Sequence, residues 1–176
     1  MPARPADRGP HLEPPTTRVR ASYLAAITEF RAEGRHRDLD RNGLADAGLF
    51  RDHVEALVAR ADPEAERPPG YVPETVLWWV HGHEFLGRLS IRHRLTPPLA
   101  RVGGHIGYEV RPSARRRGHA TAMLRAALPI AARLGIDPAL VTCDVDNVAS
   151  RLVIEHAGGR MDGMHDRELR LWVPTR

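Results

Sequence analysis

Residues Val110 to Thr121 constrain this chain more than any other stretch. Val110-Arg111-Pro112 closes a strand-like run, Ser113-Ala114-Arg115-Arg116-Arg117-Gly118 is a basic turn, and His119-Ala120-Thr121 opens a helical pattern that continues to about Leu134. A strand, a glycine loop and a helix in this order gather unpaired backbone N–H groups and the positive end of a helix dipole at one point. Three consecutive arginines add charge there, so the segment reads as a cradle for a pyrophosphate. It lacks the Lys-Ser/Thr of a P-loop and has no G-x-G-x-x-G, which disfavours a nucleoside triphosphatase and a Rossmann site.

The remaining pattern frames that junction. Val19, Tyr23, Ile27 and Phe30 recur at helical spacing as far as Gly34, and Phe50, Val54, Leu57 and Val58 repeat the signal as far as Ala61, so two helices precede any strand. Thr75 to Val80 and Glu84 to Leu95 flank the turn signal His81-Gly82 and read as a hairpin. Thr96-Pro97-Pro98 breaks it, and Gly104 to Val110 is a third strand. After the junction helix come a short buried strand, Ala139 to Cys143, a helix from Asn147 to His156 stopped by Gly158-Gly159, and a final strand from Glu168 to Val173. The expected class is α/β: an antiparallel hairpin meander, then β-α-β-α-β, making a mixed sheet with helices on its faces. Residues 1–17, rich in proline and arginine, read as a flexible tail, and residues 18–174 as a single domain.

Arg115-x-x-Gly118-x-Ala120 matches the pattern Arg/Gln-x-x-Gly-x-Gly/Ala, and a strand from Leu140 to Cys143, Asn147 and a helix ending at Gly158 follow it. In these features the sequence resembles the GNAT superfamily of acetyl-CoA-dependent N-acetyltransferases, over roughly residues 18–173. Gly103 to Tyr108 and Thr142-Cys143-Asp144-x-Asp146-Asn147-x-x-Ser150 are similar, more narrowly, to a group of bacterial acetyltransferases of undefined substrate. The resemblance implies a GNAT-like fold whose two central strands splay apart around acetyl-CoA, used as co-substrate. It implies that Tyr108, Val110, Arg115, Arg116, Arg117, Gly118, His119, Ala120, Thr121, Asn147 and Ser150 bind that co-substrate.

The same resemblance implies acetyl transfer to a primary amine, of a small molecule, by direct attack in a ternary complex. A free amine with a pKa of roughly 10 must lose a proton before it attacks. His105 and Glu109 share one face of the third strand under period-2 alternation and are the candidate bases. Many GNAT enzymes carry an acidic tyrosine in the last helix, at a position that is Ile154 here. Asn147, Ser150, water or Tyr108 is left to assist the departing thiolate. That gap keeps open a catalytically silent acetyl-CoA-binding domain, and a protein or peptide N-acetyltransferase is a further alternative. Arg92 and His93, with Arg94, end the second hairpin strand and are candidates for holding the acceptor, where an arginine suits a carboxylate.

Composition narrows the partners. All 26 basic side chains are arginine, against 22 acids, for a formal net charge of +4. No helix shows a continuous basic face with interleaved aromatics, so no nucleic acid is expected. The longest apolar run, Val76 to Val80, is far short of the roughly 20 residues of a membrane span, so no membrane partner is expected. A lone cysteine, Cys143, cannot form an internal disulfide, and the cytoplasm is the expected compartment. His36, Asp38, His81 and His83 sit in turn sequence without a third ligand at recognisable spacing, so no metal is expected. A homodimer is the expected oligomer, if one forms.

Overall fold

The computed structural model describes residues 9–176. A short strand, β1 (His11–Glu13), precedes helices α1 (Arg20–Ala32) and α2 (Ala47–Ala59). Strands β2 (Glu74–His81), β3 (Glu84–Arg92) and β4 (Ile106–Val110) then join β1 in an antiparallel sheet of order β1-β2-β3-β4, with a short helix α3 (Pro97–Arg101) between β3 and β4. The second half contains α4 (His119–Arg133), β5 (Ala139–Asp144), α5 (Val148–His156), β6 (Arg160–His165) and β7 (Glu168–Val173). Its three strands form a separate antiparallel sheet of order β5-β7-β6.

Three expectations are corrected. Part of the segment read as a flexible tail is ordered: His11, Leu12 and Glu13 pair with Val80, Trp79 and Trp78. The run Leu77 to Val80 is buried throughout, so the outer edge of β2 carries backbone groups that need partners, and β1 supplies them. The rest of that expectation, for residues 1–8, lies outside the described residues. Thr96-Pro97-Pro98 starts a helix instead of only ending a strand, because Thr96 caps the Leu99 N–H and the prolines occupy first-turn positions where no N–H is needed. Strand β6 was not expected at all; its Arg-Met-Asp-Gly-Met-His sequence is polar and largely exposed, and the free edge of β7 organises it.

The first sheet is packed on both faces. Against one lie α1 and α2, where Tyr23 stacks on Trp78 at 4.7 Å and meets Phe50 and Phe85 edge-on. Against the other lies the core shared with α4 and the second sheet, including Leu89, Ile91, Ile106, Met123, Leu124 and Leu171. Since Leu89 and Ile91 point toward α4, alternation turns Arg88, Ser90 and Arg92 toward the α1–α2 side.

The two sheets meet at one clamp. The His105 N–H donates to the Leu140 carbonyl at 2.7 Å, the Leu140 N–H donates back to His105 Nδ1 at 2.9 Å, and the Gly103 N–H donates to Thr142 Oγ1 at 3.0 Å. Gly104 has φ +60°, and a Cβ there would sit 2.4 Å from the Leu140 carbonyl oxygen, so this approach requires glycine. Beyond the clamp no ladder joins β4 to β5.

Candidate active site

A cavity of about 590 Å³ opens where β4 leaves β5, bounded by β4, the start of α4 and the start of α5. Its α4 wall is the basic glycine loop. Arg116 and Gly118 both have positive φ, +65° and +79°, and they swing the chain so that α4 starts at His119 with no side chain capping it. No atom lies within 4 Å of a Cβ placed on Gly118, so glycine is needed there for conformation alone. The first N–H groups of α4 therefore lack a side-chain acceptor, and Gly118, His119, Ala120 and Thr121 line the cavity. An anion is the natural partner of such a terminus.

The arginines of the loop divide. Arg116 borders the cavity. Arg115 borders it too, but its fork is bidentate on Glu33, the residue that ends α1, at 2.7 and 2.8 Å, while its Nε donates to the Val110 carbonyl at 3.2 Å. Arg115 thus ties the loop to α1 instead of offering a free fork to a phosphate. Arg117 is not among the residues that line the cavity. His119 accepts the Trp79 indole N–H at 3.2 Å on Nδ1, and burial, then the Arg117 charge, holds its pKa below the usual value.

On the opposite wall Asn147 caps α5, its Oδ1 accepting the Ser150 N–H at 3.0 Å. Ser150 Oγ and the Tyr108 hydroxyl are 2.8 Å apart and bridge the open end of the splay. Burial pushes the Tyr108 hydroxyl up to about 12, partly countered by the Ser150 hydrogen bond, so it stays protonated at neutral pH. Ile154 is fully buried and carries no acidic proton, while its neighbour Val153 borders the cavity. The Arg111 N–H bonds to Leu86 of β3, so antiparallel alternation directs the backbone groups of Val110 and Tyr108 into the splay.

A second cavity, of about 280 Å³, lies on the α1–α2 face of β3 and β4. Arg35, Tyr108 and Glu109 line both cavities, so the two share a wall at β4. Glu109 is its centre. The carboxylate is 2.5 Å from Arg35 Nη2, 2.5 Å from His36 Nε2 and 3.9 Å from Arg88 Nε, with its side chain 10% exposed. Burial raises its pKa, but the His36 hydrogen bond and the charges of His36, Arg35 and Arg88 outweigh that and hold it below the usual carboxylate range.

Of the two candidate bases, the structure brings Glu109 to the cavities and removes His105. With Nδ1 accepting the Leu140 N–H, a neutral His105 carries its proton on Nε2 and has no free lone pair. It lines neither cavity. The expected strand, beginning at Gly104, is shorter: Gly103 and Gly104 both have positive φ, and this bend turns His105 out of register with Glu109 and into the clamp. Of the acceptor candidates, Arg92 lines the second cavity and His93 does not. Successive residues of β3 face opposite ways, and His93 instead hydrogen-bonds Thr75 Oγ1 at 2.8 Å.

Sequence reasoning missed Arg35, His36 and Arg88. Arg88 was legible, because Arg88, Ser90 and Arg92 alternate along β3. Arg35 and His36 sit in the loop after α1, about seventy residues from the glutamate they meet, and no local pattern links them. Among the described residues no group of three or more His, Cys, Asp or Glu is placed to hold a metal ion, and no helix is long and apolar enough to cross a membrane.

Residues 51–160 match the sequence model of the acetyltransferase (GNAT) domain family. No curated protein matches significantly. Among solved structures, RimJ of Mycobacterium smegmatis in complex with CoA-disulfide superposes with a TM-score of 0.66 at 21% identity, covering 94% of this chain and 86% of that one. The ribosomal L7/L12 alpha-N-protein acetyltransferase RimL, in complex with coenzyme A, gives 0.61 at 19% identity over 92% and 90%. The microcin C7 self-immunity acetyltransferase MccE, bound to acetyl-CoA and AMP, gives 0.62 at 12% identity over 92% and 89%. Identities at this level speak to the shared fold.

Proposed function

The chain belongs to the GNAT acetyltransferases, and from that premise we propose that it moves an acetyl group from acetyl-CoA to the primary amine of a small molecule, by direct attack in a ternary complex. One observation carries the reading: a cavity with an uncapped helix N-terminus and a small charged cavity lie side by side at β4 and share Arg35, Tyr108 and Glu109 in their lining. Two ligands can then meet at β4.

The co-substrate supplies an activated acetyl thioester. The N–H groups at the start of α4, with Arg116 beside them, suit its pyrophosphate. The backbone of Tyr108 and Val110, directed into the splay, suits the pantetheine arm, and the Val110 N–H is available to an oxyanion. His36 is the proton acceptor in this reading. Its Nε2 is committed to Glu109, which fixes the tautomer and leaves Nδ1 as the basic nitrogen. Glu109, already held by two cations, positions His36. Tyr108 and Ser150 together take the place of the tyrosine missing at Ile154, by donating a hydrogen bond toward the leaving thiolate.

The RimL neighbour acetylates a protein, whereas MccE binds AMP. A second cavity of about 280 Å³ favours a small acceptor here, at the lower edge of ordinary ligand pockets. Thiol release from acetyl-CoA, measured over polyamines, amino acids, aminoglycosides and free peptides, tests this. Turnover of small amines is expected. Binding of acetyl-CoA with no turnover of any acceptor would mark a silent binding domain, and turnover of peptides alone would move the substrate to proteins. Gly118→Ala should weaken acetyl-CoA binding roughly tenfold through strain at the helix start; an unchanged Kd by calorimetry would refute the cradle.

A further inference from the structure

We propose that the acceptor amine carries its own anionic group, and that Arg88 and Arg92 receive that group in the cavity beside Glu109. The inference rests on the acetyltransferase reading above and adds the chemistry of the acceptor to it.

The charge balance of the cavity is the starting point. Three guanidinium groups line it and Glu109 is its sole carboxylate. That carboxylate is already engaged by Arg35 and His36, each at 2.5 Å. Arg88 comes no closer to it than 3.9 Å, too far for a hydrogen bond, and has no nearer acid among the described residues. Arg92 donates Nη1 to the carbonyls of Gly103 and Gly104, at 2.9 and 3.1 Å, which fixes the guanidinium while leaving the rest of its fork uncommitted. Three guanidinium groups against one carboxylate therefore leave the concave site with an excess of positive charge.

The floor beneath them is Gly107, which faces the Arg92 guanidinium. Ser90, paired with Gly107 across the ladder, is buried and turns toward the same cavity. A planar fork held by backbone carbonyls loses little freedom on binding a carboxylate or a phosphate, both of which fit it in a bidentate way. The acceptor's own anion would neutralise the surplus charge of the arginines. A cavity of this size accommodates an amine the size of an amino acid.

The full-length protein is tested with glycine, β-alanine and γ-aminobutyrate, each beside its carboxamide, with aminomethylphosphonate as the phosphate-like arm and a free peptide as the large arm. The acids should exceed their amides by roughly tenfold or more in kcat/KM, mostly through KM. The phosphonate arm shows which anion the forks prefer. Arg88→Gln removes a cation that holds no backbone group, and it should pull the acid-to-amide ratio toward one. Amides that match or surpass the acids, or a peptide that surpasses every small amine, would overturn the proposal.

A binding measurement separates its failure from failure of the acetyltransferase reading. Calorimetry on the CoA-saturated protein compares N-acetylglycine and N-acetyl-β-alanine with their carboxamides. Tighter binding of the acids, abolished in Arg88→Gln, supports the anion subsite even if no amine is turned over. Equal binding of acids and amides sinks the subsite whatever the turnover.

Discussion

Glu109 holds its charge where burial opposes it, and the His36 hydrogen bond with two arginines reverses the balance. Glu109→Gln removes the carboxylate and leaves Arg35, His36 and Arg88 facing one another, so it should destabilise the fold by about 1–3 kcal/mol in urea at neutral pH. The pH dependence has a definite sign. A carboxyl group whose folded pKa lies below its unfolded one contributes stability that is present above the unfolded value, and this is lost as pH falls through the folded value. The gap between the wild type and Glu109→Gln should therefore stay open at neutral pH, begin to narrow below about pH 4, near the unfolded carboxyl value, and shut once the pH has fallen through the lower folded value. A gap that persists unchanged at low pH would show that the charge is not what Glu109 contributes. Tyr108 behaves oppositely. Its hydroxyl, pushed up to about 12, remains a donor across the working range, so it should put no alkaline break in a kcat profile below about pH 10. Tyr108→Phe should lower kcat roughly ten- to a hundredfold with little change in the acetyl-CoA KM; an equal loss in both would make Tyr108 a wall residue only.

Two glycines do different jobs in neighbouring elements, and the difference can be measured. A methyl group on Gly104 meets the Leu140 carbonyl oxygen at 2.4 Å and also strains a positive φ, whereas one on Gly118 meets nothing and strains φ alone. Gly104→Ala should cost about 2–4 kcal/mol and loosen the clamp between the sheets, and Gly118→Ala about 1–2 kcal/mol, both read from denaturant midpoints. If the two variants melt alike, the clamp is not a tight approach. The same contrast explains what could be read from sequence. The co-substrate side was legible because strand, glycine turn and helix are contiguous, so Gly118, Ala120 and Thr121 line one wall by covalent succession. The acceptor side was not. Glu109 meets Arg35 and His36 only after α1 has packed on the sheet, and the bend at Gly103-Gly104 overrides the alternation that made His105 look like its companion. Strand β6 was invisible for a related reason: Met161 and Met164 stand exposed, so it carries no pattern of burial to detect.

At the scale of the molecule, the two sheets share a core but no ladder, and the clamp joins them at one end only. The larger cavity occupies the other end, with β4 from the first sheet on one side and α5 from the second half on the other. A ligand that touches both walls should act as a second clamp. Binding to the folded state alone stabilises by about 2.7 kcal/mol at a concentration roughly 100 times Kd. For a chain of this length that corresponds to a rise in Tm of roughly 5–10 °C. Coenzyme A should produce it, and pantetheine at the same concentration should produce much less, because it lacks the pyrophosphate that the start of α4 is arranged to meet. Raising the salt concentration should weaken the coenzyme effect, since Arg116 and the exposed helix terminus act through screened charge. A shift as large with pantetheine, or one indifferent to salt, would place the binding energy in the splay between β4 and β5 and leave the arginine-glycine loop a bystander.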